Sequence, residues 1–287
     1  MAERARAFPD NAPGSFFVDR DCIDCETCYT LAPAIFADAS GHARVRRQPA
    51  SPEERHRAQM ALVACPTASI GTDDRAGVAA AARAFPETIE DEVSFCGYTS
   101  EKSFGAWSYF VERPAGNLLV DSPRAAEPLL KRLEEKGGVA LLVLSHRDDV
   151  ADHARIRERF SCPRLMHRAD GLRGLEQYIE GEEPVALAPD LLAIPTPGHT
   201  PGSLCLLYRG RFLFTGDHLW WNAERRGLSA SRSFNWYSWD AQLQSLQHLL
   251  DFEFTWVLPG HGRAFRAESP AAMRRELERA LVRLRAA

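Results

Sequence analysis

The chain has 287 residues, 45% hydrophobic and 26% charged, with Gly 19 and Pro 18; this composition excludes collagen, coiled coil and wholesale disorder, and at about 150 residues per domain it implies two domains. The formal net charge is -4, and the 35 Lys+Arg include only the lysines Lys102, Lys131 and Lys136, a balance that argues against a nucleic-acid partner. No window approaches the ~18 apolar residues of a membrane span, and MAERARAFPDNAPGSFF lacks the apolar core and cleavage site of a secretory signal, so a cytoplasmic protein without membrane contact is expected.

The seven cysteines are unevenly placed, with Cys22, Cys25, Cys28 and Cys65 early and Cys96, Cys162 and Cys205 scattered. Clustering in a reducing compartment favours metal binding over a disulfide framework. The scattered three sit in or beside apolar runs and read as small buried hydrophobes. In FFVDRDCIDCETCYTLAPAIF three cysteines recur at spacing three in a loop, and VACPTASI adds a fourth directly before Pro66. Four thiolates suit tetrahedral zinc or a cubane iron-sulfur cluster. Zinc ribbons pair CxxC with a second CxxC, whereas CxxCxxC with a distant Cys-Pro wraps one side of a cluster. The pattern resembles bacterial ferredoxins. In two-cluster ferredoxins the first run ends in a Cys-Pro that serves the other cluster, and here the matching dipeptide is Ala32-Pro33. The resemblance therefore implies a single [4Fe-4S] centre on Cys22, Cys25, Cys28 and Cys65, in an electron-transfer or redox-sensing role. A zinc or free-thiol cluster is the alternative on spacing alone.

Between these ligands a turn at Ala39-Ser40-Gly41 separates two short strands. SPEERHRAQMALVAC begins as a helix, with Ser51 as cap, Pro52 in the first turn and Glu54 completing a capping box. The ferredoxin resemblance implies a small α+β domain over 15–73, after an N-terminal extension 1–14, in the order strand, loop, helix, hairpin, helix, strand. An Ala- and acid-rich stretch carrying Gly77 and Pro86 follows, and a linker is expected over 74–90.

From 91 to 287 the texture is α/β. Strand-like runs appear at VSFCGYTS, SYFVERPAGNLLVDS, VALLVLSH, SLCLLYRGRFLFTGD and FTWVLPGH, between helical stretches such as AAEPLLKRLEEKG, AQLQSLQHLLD and PAAMRRELERALVRLRAA. Four polar loops rich in His and Asp each follow a strand-like segment: LLVLSHRDDVADH, AIPTPGHTPGS, FLFTGDH and WVLPGHG. Loops at strand ends can converge at one sheet edge and assemble a metal site from distant sequence.

TPGHTPGS, TGDH and PGHG, in this order, resemble the metallo-β-lactamase superfamily over approximately 93–266, which implies an αβ/βα sandwich. The superfamily segment HxHxDH is matched by His146 and by the closing pair Asp152-His153. Asp148 stands where its second histidine would be, and two residues are inserted before Asp152. By resemblance, one metal takes His146, Asp148 and His199, the other Asp152, His153 and His261, and Asp217 bridges; Asp149 is the alternative to Asp148. The added carboxylate hardens the site towards iron or manganese, with zinc remaining an option.

The resemblance implies hydrolysis by a metal-bound hydroxide attacking an ester, thioester or phosphoester, with Asp152 orienting it or acting as base. A second reading is a di-iron oxidoreductase fed by the N-terminal cluster, since di-iron members of the superfamily carry a carboxylate in their first ligand segment. A third is a non-catalytic electron carrier. The expected partners are a small-molecule substrate and a redox partner protein. In LWWNAERRGLSASRSFNWYSWD, the residues Trp220, Trp221, Trp236, Tyr237 and Trp239 wall a substrate pocket or pack in the core, Arg225, Arg226 or Arg232 holds an anion or is solvated, and His218 bonds a ligand or caps the loop.

Overall fold

In the computed structural model, which describes residues 2–286, the strand Phe16–Val18 pairs antiparallel with Ile70–Thr72, Phe16 opposite Thr72. Between them come helix Thr27–Leu31, the hairpin Phe36–Asp38 with Ala43–Val45, and helix Pro52–Ala64, the order expected from the sequence. The hairpin turns through Ser40 and Gly41, both at positive φ. Ser51 Oγ accepts the Glu54 N–H at 3.2 Å, while the Glu54 carboxylate takes the Ala50 N–H at 2.8 Å. The reciprocal bond of the capping box thus lands one residue before the cap.

The stretch 74–90 carries helix Val78–Arg83 and strand Glu87–Glu90. Its run of alanines is the strongest intrinsic helix former, and the strand gains a partner in Val93–Phe95. Tyr109–Val111 and Leu118–Val120 extend this antiparallel run in sequence order. These elements belong to the first of two units into which the chain divides, Met1–Ala140 with Ala151–Cys162; the second is Leu141–Val150 with Pro163–Ala287. Among the described residues no helix is long and apolar enough to cross a membrane.

In the second unit Leu141–Val143, Arg164–His167 and Gln177–Ile179 run parallel. Six further strands stand in the order Val185–Ala188, Leu191–Pro195, Leu204–Tyr208, Phe212–Gly216, Trp256–Pro259, Phe265–Arg266. All neighbours are antiparallel except Phe212–Gly216 with Trp256–Pro259. Ile194, Leu213 and Val257 from one face of these strands meet Leu246 of helix Trp239–His248 and Leu277 of helix Pro270–Arg285 in a core from which water is excluded. Each such side chain contributes about 1.5–3 kcal/mol on burial.

Register fixes which loops meet. Gly216 stands opposite Pro259 in the parallel pair, so Asp217 and His261 leave the sheet at the same edge. Leu204 stands opposite Pro195, and Leu206 opposite Phe214, in antiparallel pairs, so the loop carrying His199 emerges there too. Leu204 N–H donates to Ser145 O at 2.8 Å, which ties the start of the His146 loop to that edge.

Candidate functional site

Cys22, Cys25, Cys28 and Cys65 are free of disulfides and line one small cavity with Ile23 and Pro66. Cys22 Sγ accepts N–H groups from Asp24 at 3.4 Å and Ala43 at 3.3 Å, and Cys65 Sγ lies 3.4 Å from Ser69 Oγ. Burial pushes the Cys25 thiol up to about 11 and Cys28 well above its ordinary value, with repulsion from neighbouring cysteines adding to both. Such thiols stay protonated unless cations lie among them. The cradle therefore fits a group that brings positive iron, and its N–H and O–H donors suit sulfur ligands of a cluster. Cys96, Cys162 and Cys205 are buried, and burial pushes Cys96 and Cys205 up to about 12. They act as apolar side chains, as their surroundings in the sequence imply.

At the sheet edge of the second unit, three imidazoles surround one carboxylate. Asp217 Oδ2 lies 3.7 Å from His146 Nε2, 3.8 Å from His199 Nε2 and 3.8 Å from His261 Nε2. Asp148 Oδ2 lies 3.5 Å from His199 Nε2 and 4.0 Å from His146 Nε2. Two groups bring their ligand atoms within 4.8 Å of one another: His146, Asp148 and His199, and His146, Asp149 and Asp217. Both Asp148 and Asp149 thus reach the site. His146 Nδ1 is 2.9 Å from Ser145 Oγ, which turns Nε2 towards the carboxylates. His199 Nε2 and Asp217 Oδ1 are buried without a hydrogen bond, an arrangement that is costly unless a cation takes those lone pairs. Burial would raise the Asp217 carboxyl, but His261, His146 and His199 hold it well below the ordinary range. The His199 ring does the same for Asp148. Mixed imidazole and carboxylate donors suit divalent zinc, iron or manganese.

Glycine is required where the backbone passes this site. A Cβ on Gly260 would come 2.5 Å from Asp149 Oδ2 and 2.9 Å from Asp217 Oδ1, and one on Gly216, at φ +48°, 2.5 Å from Ser145 Oγ. The motif glycines therefore let two loops approach the ligands closely.

Of the expected ligands, Asp152, His153 and His261 belong to neither group, though His261 stands against Asp217. Asp152 Oδ1 accepts the Lys102 ammonium at 2.6 Å and Oδ2 the Ala125 N–H at 3.0 Å. Burial opposes its charge, but these two donors hold the carboxyl below its ordinary value. Asp152 stands directly before helix His153–Phe160.

Asp170, which no motif in the sequence marks, accepts from Arg147 N at 2.7 Å, Thr200 Oγ1 at 3.0 Å and Gly202 N at 2.6 Å. Arg147 lies between His146 and Asp148, and Thr200 follows His199, so one buried carboxylate fixes two ligand loops. The signal available in the sequence was the pairing of Thr200 and Gly202, whose donors need an acceptor.

The aromatic stretch divides. Trp220, Trp221 and Trp239 pack against the core, and Arg225 and Arg226 are exposed in the hairpin Trp220–Asn222 with Gly227–Ser229. Trp236 and Tyr237 are 57% and 58% exposed. Trp236 N–H donates to His199 O at 2.9 Å, and its ring stands edge-on to His199 at 6.4 Å. His218 is buried with neither ring nitrogen hydrogen-bonded, and burial lowers its pKa to about 3.

Residues 18–72 match the family model of the 4Fe-4S single cluster domain of ferredoxin I, so the chain carries a ferredoxin-type domain there. An uncharacterized protein of Bacillus subtilis (strain 168), YobT, is 33% identical over 114 residues, 36% of this chain and 46% of that protein; the match spans less than half of the relative's length. The metallo-β-lactamase DIM-1, solved after exposure to ceftazidime, superposes with a TM-score of 0.51 at 16% identity, covering 67% of this chain and 95% of that one. VMB-1, solved at pH 5.5, gives 0.50 at 12% identity with the same coverage, 67% and 95%. At these identities the likeness is one of fold. The rest of the chain has the metallo-β-lactamase fold, in line with the superfamily resemblance of its loops.

Proposed function

We propose that this fusion of a ferredoxin-type domain to a metallo-β-lactamase fold is a metal-dependent hydrolase of a small acyl or phosphoryl ester, with the N-terminal cluster in an electron-transfer or sensing role. One observation carries the reading: His146, His199 and His261 converge on Asp217 with Asp148 and Asp149 alongside. His146, Asp148 and His199 would hold one divalent ion and Asp149, Asp217 and His261 a second, with Asp217 shared. Ions held there supply a water of lowered pKa and polarise the substrate oxygen.

The protein's own part is positioning. Ser145 orients His146, and Asp170 holds the loops of His146 and His199 in place. Trp236, exposed beside His199, offers an apolar wall on which a substrate's carbon frame would rest. A small-molecule substrate and a redox partner for the cluster complete the reading.

The carboxylates at 148 and 149, together with the ferredoxin-type domain, favour a second reading, a di-iron oxidoreductase fed by the cluster. Anaerobic purification with metal analysis and electron paramagnetic resonance separates the two. About four irons and about two zincs per chain, with turnover in a panel of thioesters, lactones and phosphodiesters, support the hydrolase. About six irons with a coupled di-iron signal support the oxidoreductase. Full turnover by His199→Ala overturns both.

A further inference from the structure

Both carboxylate oxygens of Asp152 are held by segments that rest beside cluster cysteines. Oδ1 takes the ammonium of Lys102, which sits in the turn Glu101–Ser103, capped by Ser100 Oγ on Lys102 N–H at 3.3 Å and closed by Gly105 N–H on Ser100 O at 2.8 Å. Gly105, at φ +85°, lies against Cys25. A Cβ there would come 2.6 Å from Cys25 Cβ and 2.9 Å from Cys25 Sγ, and Gly105 O accepts Thr27 Oγ1 at 3.4 Å.

Oδ2 takes the N–H of Ala125. The adjoining Arg124 donates from Nη2 to Val63 O at 3.1 Å, and Thr99 Oγ1 donates to Ala64 O at 2.6 Å inside the protein. Val63 and Ala64 lead directly into Cys65. Residues 99–105 and 124–125 lie outside the stretch 18–72 matched by the ferredoxin model, yet Gly105 rests on Cys25, and Thr99 and Arg124 on the end of helix Pro52–Ala64 that leads into Cys65.

We infer that Asp152 is a positioning residue whose setting is read from the cluster site: the segments 99–105 and 124–125 bracket its carboxylate and are themselves seated on Cys25 and on the helix end that leads into Cys65. A cluster held by Cys25 and Cys65 would fix both supports at once. Without it, the Cys25 loop under Gly105 and the last turn of helix Pro52–Ala64, which carries the Val63 and Ala64 carbonyls, are held less firmly, and the two donors of Asp152 shift with them. The Lys102 ion pair alone is weak, because the lysine side chain is 68% exposed. The Ala125 N–H and the buried Thr99 bond give the bracket its stiffness. Asp152 in turn starts helix His153–Phe160 and ends the segment that bears Asp148 and Asp149. The inference holds whichever chemistry the larger fold performs.

Hydrogen exchange on the full chain, cluster-loaded against cluster-removed under anaerobic conditions, tests it. The Ala125 amide and the first turn of His153–Phe160 are expected to exchange about fivefold or more faster without the cluster, with Leu204–Tyr208 and Phe212–Gly216 unchanged. Equal rates at Ala125 and 153–157 in the two states overturn the inference. If cluster removal unfolds the chain, shown by faster exchange in those control strands, the reciprocal experiment decides, because coupling runs both ways. Chelator-driven bleaching of the loaded chain is expected to quicken about fivefold in Asp152→Asn and in Lys102→Met. Bleaching at the wild-type rate in both overturns it.

Discussion

Asp170 shows what a single buried carboxylate does for a site it never touches. Its three donors come from two ligand loops, and Asp170→Asn replaces one acceptor oxygen with a donor, leaving a buried N–H or O–H unsatisfied at about 1–3 kcal/mol. The variant is expected to unfold at correspondingly lower denaturant and to retain metal about 10–100-fold less tightly; a wild-type midpoint and wild-type metal content would remove Asp170 from this role. His218 makes a different prediction. Its pKa is held by burial at about 3 against the ordinary 6.5, so the unfolded chain takes up a proton below 6.5 that the folded chain refuses. Stability therefore falls as pH drops from 6.5 towards 3, by about 1.6 kcal/mol between pH 6.5 and 5, the slope approaching 1.36 kcal/mol per unit as the unfolded imidazole becomes fully protonated. In the metal-free protein His218→Leu should flatten that acid limb in a plot of melting temperature against pH, and an unaltered limb would assign it to other groups.

Among the elements, strand ends decide the chemistry. The apolar runs before SHRDD, PGHT, TGDH and LPGHG were legible in the sequence, because a buried strand needs an unbroken apolar run and its exit needs Gly, Pro or Asp. The register of Gly216 with Pro259 was not legible, since pairing partners lie far apart in the chain. Nor were the Lys102 and Ala125 donors of Asp152, which also lie far from it in the chain. The aromatics of 220–239 were ambiguous for a related reason. Trp221 faces Phe265 and Trp236 faces solvent, a difference set by the short hairpin between them and not by composition. Gly260 tests the strand-end geometry. In Gly260→Ala the new methyl meets Asp149 and Asp217, so metal retained after dialysis against chelator should fall about tenfold or more while the circular dichroism spectrum is kept. Full retention would mean that these two carboxylates do not share an ion.

For the molecule as a whole, the division of the chain turns ligand assignment into a question about two units. The four cluster cysteines lie in Met1–Ala140; His146, Asp148, Asp149, His199, Asp217 and His261 all lie in Leu141–Val150 with Pro163–Ala287; Asp152 and His153 fall in Ala151–Cys162, with the first unit. Cys25→Ser removes one of four iron ligands and is expected to abolish the visible absorption of the cluster. If the six ligands of the second unit suffice, the variant keeps about two metal ions per chain, even though Asp152 loosens with its bracket. Loss of those ions together with the cluster's colour would overturn that sufficiency. Metal analysis of Cys25→Ser thus tests whether these six residues hold the ions without the cluster. His199→Ala serves as its converse, expected to lose metal and turnover and to keep the cluster's colour, because no cysteine ligand shares its unit.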